Sequence, residues 1–179
     1  PDNDKYEYVP NFNFSKVINE NFLFNANGYY KHYNTNISEK ILINKFEFNT
    51  DPIFFNNGFI NDKKILLKNV NSDAKNSKNF KNKSSSNLTP TIQTNYSLPL
   101  KKETNNFDKI LTPKFSLKLS LPHTKNVKTK DRQINYDNIY NLDRLGIEDL
   151  NEGGISAIYG YEYTKINRNT LNEQIRFGI

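Results

Sequence analysis

Few side chains in this sequence combine the type and spacing that chemistry needs. Glu148, Asp149 and Glu152 place three carboxylates within a five-residue window. Such a cluster can hold a divalent cation, or it can be solvated and paired with nearby Arg144, and the second role is the one expected. The two histidines, His32 and His123, stand far apart with no metal-ligand spacing, so both are expected on the surface or in loops. Because the chain has no Cys, neither a disulfide framework nor a Cys-based zinc site can form. A glycine-rich phosphate loop and a nucleophile elbow are also missing. These features lead to the expectation of a protein that is not an enzyme and carries no cofactor. Asn-x-Ser/Thr triplets at Asn13, Asn36, Asn82, Asn87 and Asn95 follow from the abundance of Asn and are not evidence of glycosylation.

Two lysines remain, Lys114 and Lys118, in the stretch LTPKFSLKLSLP at 111–122. There Leu111, Pro113, Phe115, Leu117, Leu119 and Leu121 share one parity, and Thr112, Lys114, Ser116, Lys118 and Ser120 share the other. A period of two is the spacing at which strand side chains change faces, so this is a β-strand with one oily face and one wet, basic face. The oily face must touch either a soluble core or lipid.

Composition points to β structure. Hydrophobic residues make up only 35% of the 179 residues, and mean hydropathy is −0.81. Thirteen Phe and eleven Tyr nevertheless recur in strand-like patches rather than being scattered, which fits an all-β protein with long polar loops. The excess of 25 Lys and Arg over 19 Asp and Glu, a formal +6, suits nucleic acid, lipid phosphates or simple solvation. No run of 18 apolar residues is present, so no helix is expected to cross a membrane. The opening Pro1-Asp2-Asn3-Asp4 reads as the interior of a longer chain.

Alternation predicts eight strands, near 6–17, 21–33, 37–48, 64–70, 88–100, 111–122, 153–165 and 171–179. In the third, Ile37, Ile41 and Ile43 oppose Leu42, Phe46 and Phe48, which leaves its register open. Most of the strands run about 10–13 residues, enough to cross a bilayer at a tilt and roughly twice the soluble norm. Tyr clusters at 29, 30 and 33 and at 159, 161 and 163 suit an interfacial girdle. Links near 18–20, 34–36 and 166–169 are short. Those near 72–87 and 122–151 are long and polar, and an up-and-down order puts both on one side, the extracellular one. The link near 50–62 is too long for a periplasmic turn and counts against this scheme.

One segment is distinctive. ILTPKFSLKLSLPHTKN precedes RQINYDNIYNLDRLGIEDLNEGGISAIYGYEY, and the pair carries Leu111 and Pro113, then Asn138, Ile139 and Leu142, then Arg144, Gly146, Asp149, Glu152, Gly153 and Gly154, with Gly160 and Glu162 beyond. This pattern resembles the C-terminal β-barrel domain of the lipopolysaccharide-assembly LptD family. The stretches 28–44 and 66–83 look like the version in marine alphaproteobacteria with AT-rich genomes.

The resemblance implies that residues 1–179 are about eight strands of a larger antiparallel transmembrane barrel, of roughly two dozen strands in the family. The family's N-terminal jelly roll, its barrel-closing strands and its Cys pairs are absent from this sequence. It implies a place in the cell outer membrane and a role in inserting lipopolysaccharide into the outer leaflet, alongside an LptE-like lipoprotein and supplied through an LptA-like periplasmic bridge. Lys114 and Lys118 would then be lumen-facing, either drawing lipid phosphates or keeping the lumen wet. Rival readings are another outer-membrane barrel, a porin or receptor, and a secreted β-sandwich surface protein. Nucleic acid is not an expected partner, because the lysines are dispersed instead of being interleaved with aromatics in one patch.

Overall fold

The computed structural model describes residues 6–8, 10–33, 36–78, 80–121, 134–146 and 152–178. Eleven strands form one antiparallel sheet: β1 (Tyr6–Tyr8), β2 (Asn11–Asn19), β3 (Phe22–Tyr33), β4 (Ser38–Asn49), β5 (Ile53–Phe54), β6 (Ile60–Lys75), β7 (Ser85–Ser97), β8 (Leu100–Glu103), β9 (Phe107–Ser120), β10 (Gly154–Asn167) and β11 (Glu173–Gly178). Three of these are continuations of a neighbour. Across Pro10 and Pro99, which have no N–H to give a ladder, the register against β3 carries on from Tyr8 of β1 into β2, with a slip only between Tyr6 and Tyr8, and β7 and β8 keep one register against β9. Between β4 and β5 the register against β6 slips by one residue, a bulge at which Thr50 N donates to the Lys63 carbonyl at 2.9 Å. The sheet is therefore a meander with eight strand positions, as alternation predicts.

The structure settles three expectations drawn from the sequence. The strand expected over 64–70 is the longest of all, 16 residues, because Asn61, Lys63, Asn69 and Asn71 pair in the ladder although they break the apolar alternation. In β4, Ile41 and Ile43 are buried on one face with Val70, while Leu42 is exposed on the other. The long link near 50–62 contracts to a turn over 55–59, in which Phe55 N bonds the Phe59 carbonyl and Gly58 takes φ 85°. The objection it raised to alternating short turns and long loops is removed. The 76–84 connection and the 121–153 connection lie on the same edge of the sheet, since two strand positions separate them. Within the second connection, His123 and the other residues of 122–133 and 147–151 lie outside the described residues, as does Ile179 at the end of the last expected strand.

The two faces are inverted relative to a soluble sheet. Phe22, Phe48, Ile65, Ile92, Leu119 and Ile155 are direct partners in one row across six strands, and Ile92 and Ile155 are 52% and 81% exposed. Adjacent rows on the opposite face hold Lys64, Gln93, Lys118 and Ser156, and also Lys68 and Thr89. Gln93, Thr91, Ser116, Lys118 and Lys68 are buried there. We call this the inner face. The apolar row starts at the first residue of β3, beside the short-turn rim, and ends next to the long-loop rim at β10, so the strands run obliquely to the rows they share. The sheet is open, with β1 and β2 on one edge and β11 on the other.

Register can be read by cross-linking. Oxidising the double variant Ile43→Cys with Val70→Cys should give an intramolecular disulfide, visible as a shift in non-reducing gel mobility, because these are direct partners on the inner face. Ile43→Cys with Asn71→Cys, one residue out and on the opposite face, should give none.

Candidate functional site

The inner face is polar and still buried because a loop, residues 134–146 with Glu152 and Gly153, folds across it. The loop begins with a tight Asn turn. Asn135 N donates to Asn138 Oδ1 at 2.8 Å, and Asn138 N donates back to Asn135 Oδ1 at 3.2 Å. Such reciprocal amide bonds shape a turn without secondary structure, which gives the Asn138 of the sequence pattern a physical role. Gly146 closes the segment at φ 57°, in the left-handed region that favours Gly, with its N–H on Asp143 Oδ1 at 3.2 Å. Gly154 opens β10 at φ 104°, a conformation that a side chain would strain.

Ionic anchors hold the loop down. Arg144 grips Glu152 with two donors: Nε reaches Oε2 at 2.7 Å and Nη2 meets Oε1. The same Glu152 Oε2 accepts from Lys118 Nζ at 3.2 Å. Asp143 Oδ2 accepts from Lys68 Nζ at 3.1 Å, and Lys68 is 1% exposed. Gln93 Nε2 donates to the Tyr140 carbonyl at 2.8 Å and to Ser116 Oγ at 3.0 Å. Beside this lies a second cluster around Glu162, which takes Lys114, Arg176 Nε at 2.8 Å and the Tyr136 hydroxyl at 3.1 Å. The Tyr136 ring lies directly over Gly178 of β11, where any Cβ would collide with it.

Burial alone would raise the Glu152 carboxyl, but the Arg144 hydrogen bonds and the charges of Lys118 and Arg144 outweigh it and hold the group below its ordinary 4.5. Burial first, and the Glu162 carboxylate second, push the Tyr136 hydroxyl above its ordinary 10.0, so it stays a donor at neutral pH.

Of the residues singled out from sequence, the structure brings Arg144, Glu152 and Lys118 into one cluster and Lys114 into the adjacent one, with Asn138, Gly146 and Gly154 shaping the segment that carries them and Gly153 lying between Glu152 and Gly154. Glu148 and Asp149 lie outside the described residues. Lys114 and Lys118 both sit on the inner face, and each already has a carboxylate partner. His32 stacks on Tyr30 with ring centroids 6.3 Å apart. Sequence reasoning missed Lys68, Asp143, Gln93 and Tyr136. For Lys68 a signal existed: it shares a parity with Lys64, but the apolar Leu66 and Val70 between and beyond them hid the wet face. Among the described residues no group of three His, Asp or Glu could hold a metal ion. The arrangement pairs the charged groups of the inner face and covers them with the loop.

No protein-family model matches this chain, and no curated protein matches it.

The charge balance of the clamp yields a mutational asymmetry. Glu152→Gln leaves Arg144 and Lys118 buried without their carboxylate and should cost about 3–5 kcal/mol in equilibrium unfolding. Lys118→Met leaves the Arg144–Glu152 pair intact and should change stability by no more than about 1 kcal/mol. Acid should release the loop in the same direction as Glu152→Gln. A carboxyl held low in the fold contributes stability above its unfolded value and loses it as pH falls through its depressed folded value. A spin label at exposed Asn141 should therefore stay immobile at pH 4.5 and above and become mobile as pH drops below it, whereas in Glu152→Gln it should be mobile throughout.

Proposed function

We propose that this chain is part of an outer-membrane β-barrel of the LptD type and serves in inserting lipopolysaccharide into the outer leaflet. The observation that carries the reading is the inversion of the sheet, an unbroken apolar row on one face that is exposed from Ile65 to Ile155 and a charged, hydrogen-bonded face buried on the other. A sheet with that pattern is stable where lipid covers the apolar face, and strands of 12–16 residues span the hydrocarbon layer at a tilt. The oblique rows are what tilted strands produce, and alternating short turns and long loops are the pattern of barrels in this membrane. Support for lipopolysaccharide as the cargo comes from the sequence pattern over residues 138–162, whose residues build the clamp on the inner face. In this reading the lumen is hydrated and the loop lies inside it. An LptE-like lipoprotein and an LptA-like bridge are the partners that follow from the reading.

Two arms of one experiment test it in cells that make the intact protein. Leu117→Cys should react in the folded protein with a membrane-partitioning maleimide, and Lys118→Cys, beneath the loop, should not. Protection of the thiol introduced by Leu117→Cys until unfolding would overturn the membrane assignment. Depleting the protein should lower surface lipopolysaccharide and accumulate it at the inner membrane. Normal surface lipopolysaccharide with altered uptake of small solutes would instead identify a porin or receptor.

A further inference from the structure

On the outer face near the short-turn rim, Lys102 of β8, Lys109 of β9 and Lys165 of β10 are direct cross-strand partners, so three like charges stand in one row. Like charges placed directly opposite destabilise a sheet unless something compensates them. On the inner face at the same height the charges are compensated within the chain. Lys101 meets Asp108 and Glu103, each at 2.9 Å, and Arg168 meets Glu103 at 2.6 Å and Asp108 at 3.0 Å. The outer row has no such partner among the described residues. Lys165 Nζ lies instead over the Phe107 ring, 4.0 Å from its centroid.

One step toward mid-sheet, the next row is Leu100, Leu111 and Tyr163, and it lines a shallow pocket of about 270 Å³ together with Lys102, Lys109 and the neighbouring Lys101. A cationic row bordering an apolar row, with Phe107 under the Lys165 ammonium and Tyr163 in the apolar row, has the polarity of a lipid at its headgroup. Its chemistry is selective for an anionic headgroup over a zwitterionic one, since a choline or ethanolamine would be repelled. We propose that this pocket binds the phosphate headgroup of an anionic phospholipid in the leaflet on the short-turn side, with the acyl chains lying along Leu100, Leu111 and Tyr163. The site rests on the membrane reading above, and it adds a resident lipid distinct from the cargo.

The test uses the intact protein in nanodiscs, with Leu111→Trp as a reporter read against the parent protein, since this chain itself has no Trp. Bromine-labelled phosphatidylglycerol and bromine-labelled phosphatidylcholine are compared at equal dilution in unlabelled phosphatidylcholine. Quenching should indicate phosphatidylglycerol enrichment of at least about fivefold, close to the factor one lysine supplies at an anionic surface. Raising salt or replacing all three lysines with Gln should abolish the preference. Equal quenching by both lipids would overturn the site while leaving the membrane reading intact. Quenching by neither would overturn both. Loss of the preference on adding millimolar inorganic phosphate at constant ionic strength would show a phosphate site open to water and overturn the lipid assignment.

Discussion

Everything in this molecule depends on where its backbone hydrogen bonds are made. The sheet has almost no apolar core: the described cluster of buried hydrophobics is Ile41, Ile43 and Val70, with Tyr29 and Phe80 against it. A soluble domain of this size rests on apolar burial. Here the apolar surface points outward, so the ladders carry the architecture, and the one between β9 and β10 runs through fourteen consecutive pairs with no slip. Such a fold is at its most stable where water cannot compete for those ladders and where the outward residues have a partner phase. The composition follows from the same constraint. A chain whose inner face is wet needs few hydrophobic residues, which is why mean hydropathy is as low as −0.81 while the strands are long.

The inner face shows how a polar interior is kept ordered. Three cations, Lys68, Lys118 and Arg144, meet two carboxylates, Asp143 and Glu152, and the backbone carbonyl of Tyr140 meets Gln93. Buried ion pairs of this kind add little net stability over a well-packed apolar alternative, but they specify position. A leucine-lined loop could slide over a leucine-lined wall. The ion pairs from Lys68 to Asp143 and from Lys118 to Glu152 fix the loop's register against the strands, and the two-donor grip of Arg144 on Glu152 ties the loop's two parts together.

Much of this was legible from residues alone, for reasons that differ by element. β7, β9 and β10 alternate cleanly, so both their existence and their faces follow from a period of two. β6 was seen only in its middle, because Asn and Lys occupy outer positions near its ends and the pattern there no longer separates wet from oily. Pro99 marks an interruption in the ladder but leaves the strand running on to Glu103, since its missing N–H removes one bond without changing the register. The clamp was half legible. Arg144 and Glu152 stand eight residues apart and could be paired from sequence, but Lys68 lies 75 residues from Asp143, and only the meander brings them together.

The loop's attachments are spread widely. It is tied to β6 through Lys68, to β7 through Gln93, to β9 through Lys118, to β10 through Glu162 and to β11 where Tyr136 covers Gly178. Five consecutive strand positions are thus bridged by one short piece of chain, which acts as a tie rod across an arch. Between β6 and β9 the strands cannot spread without stretching the Lys68–Asp143 and Lys118–Glu152 ion pairs, so the width of the sheet there is set by the loop as well as by the ladders. Any step that lifts the loop must also release the spacing of the strands beneath it, and uncovering the inner face and relaxing the sheet become one movement.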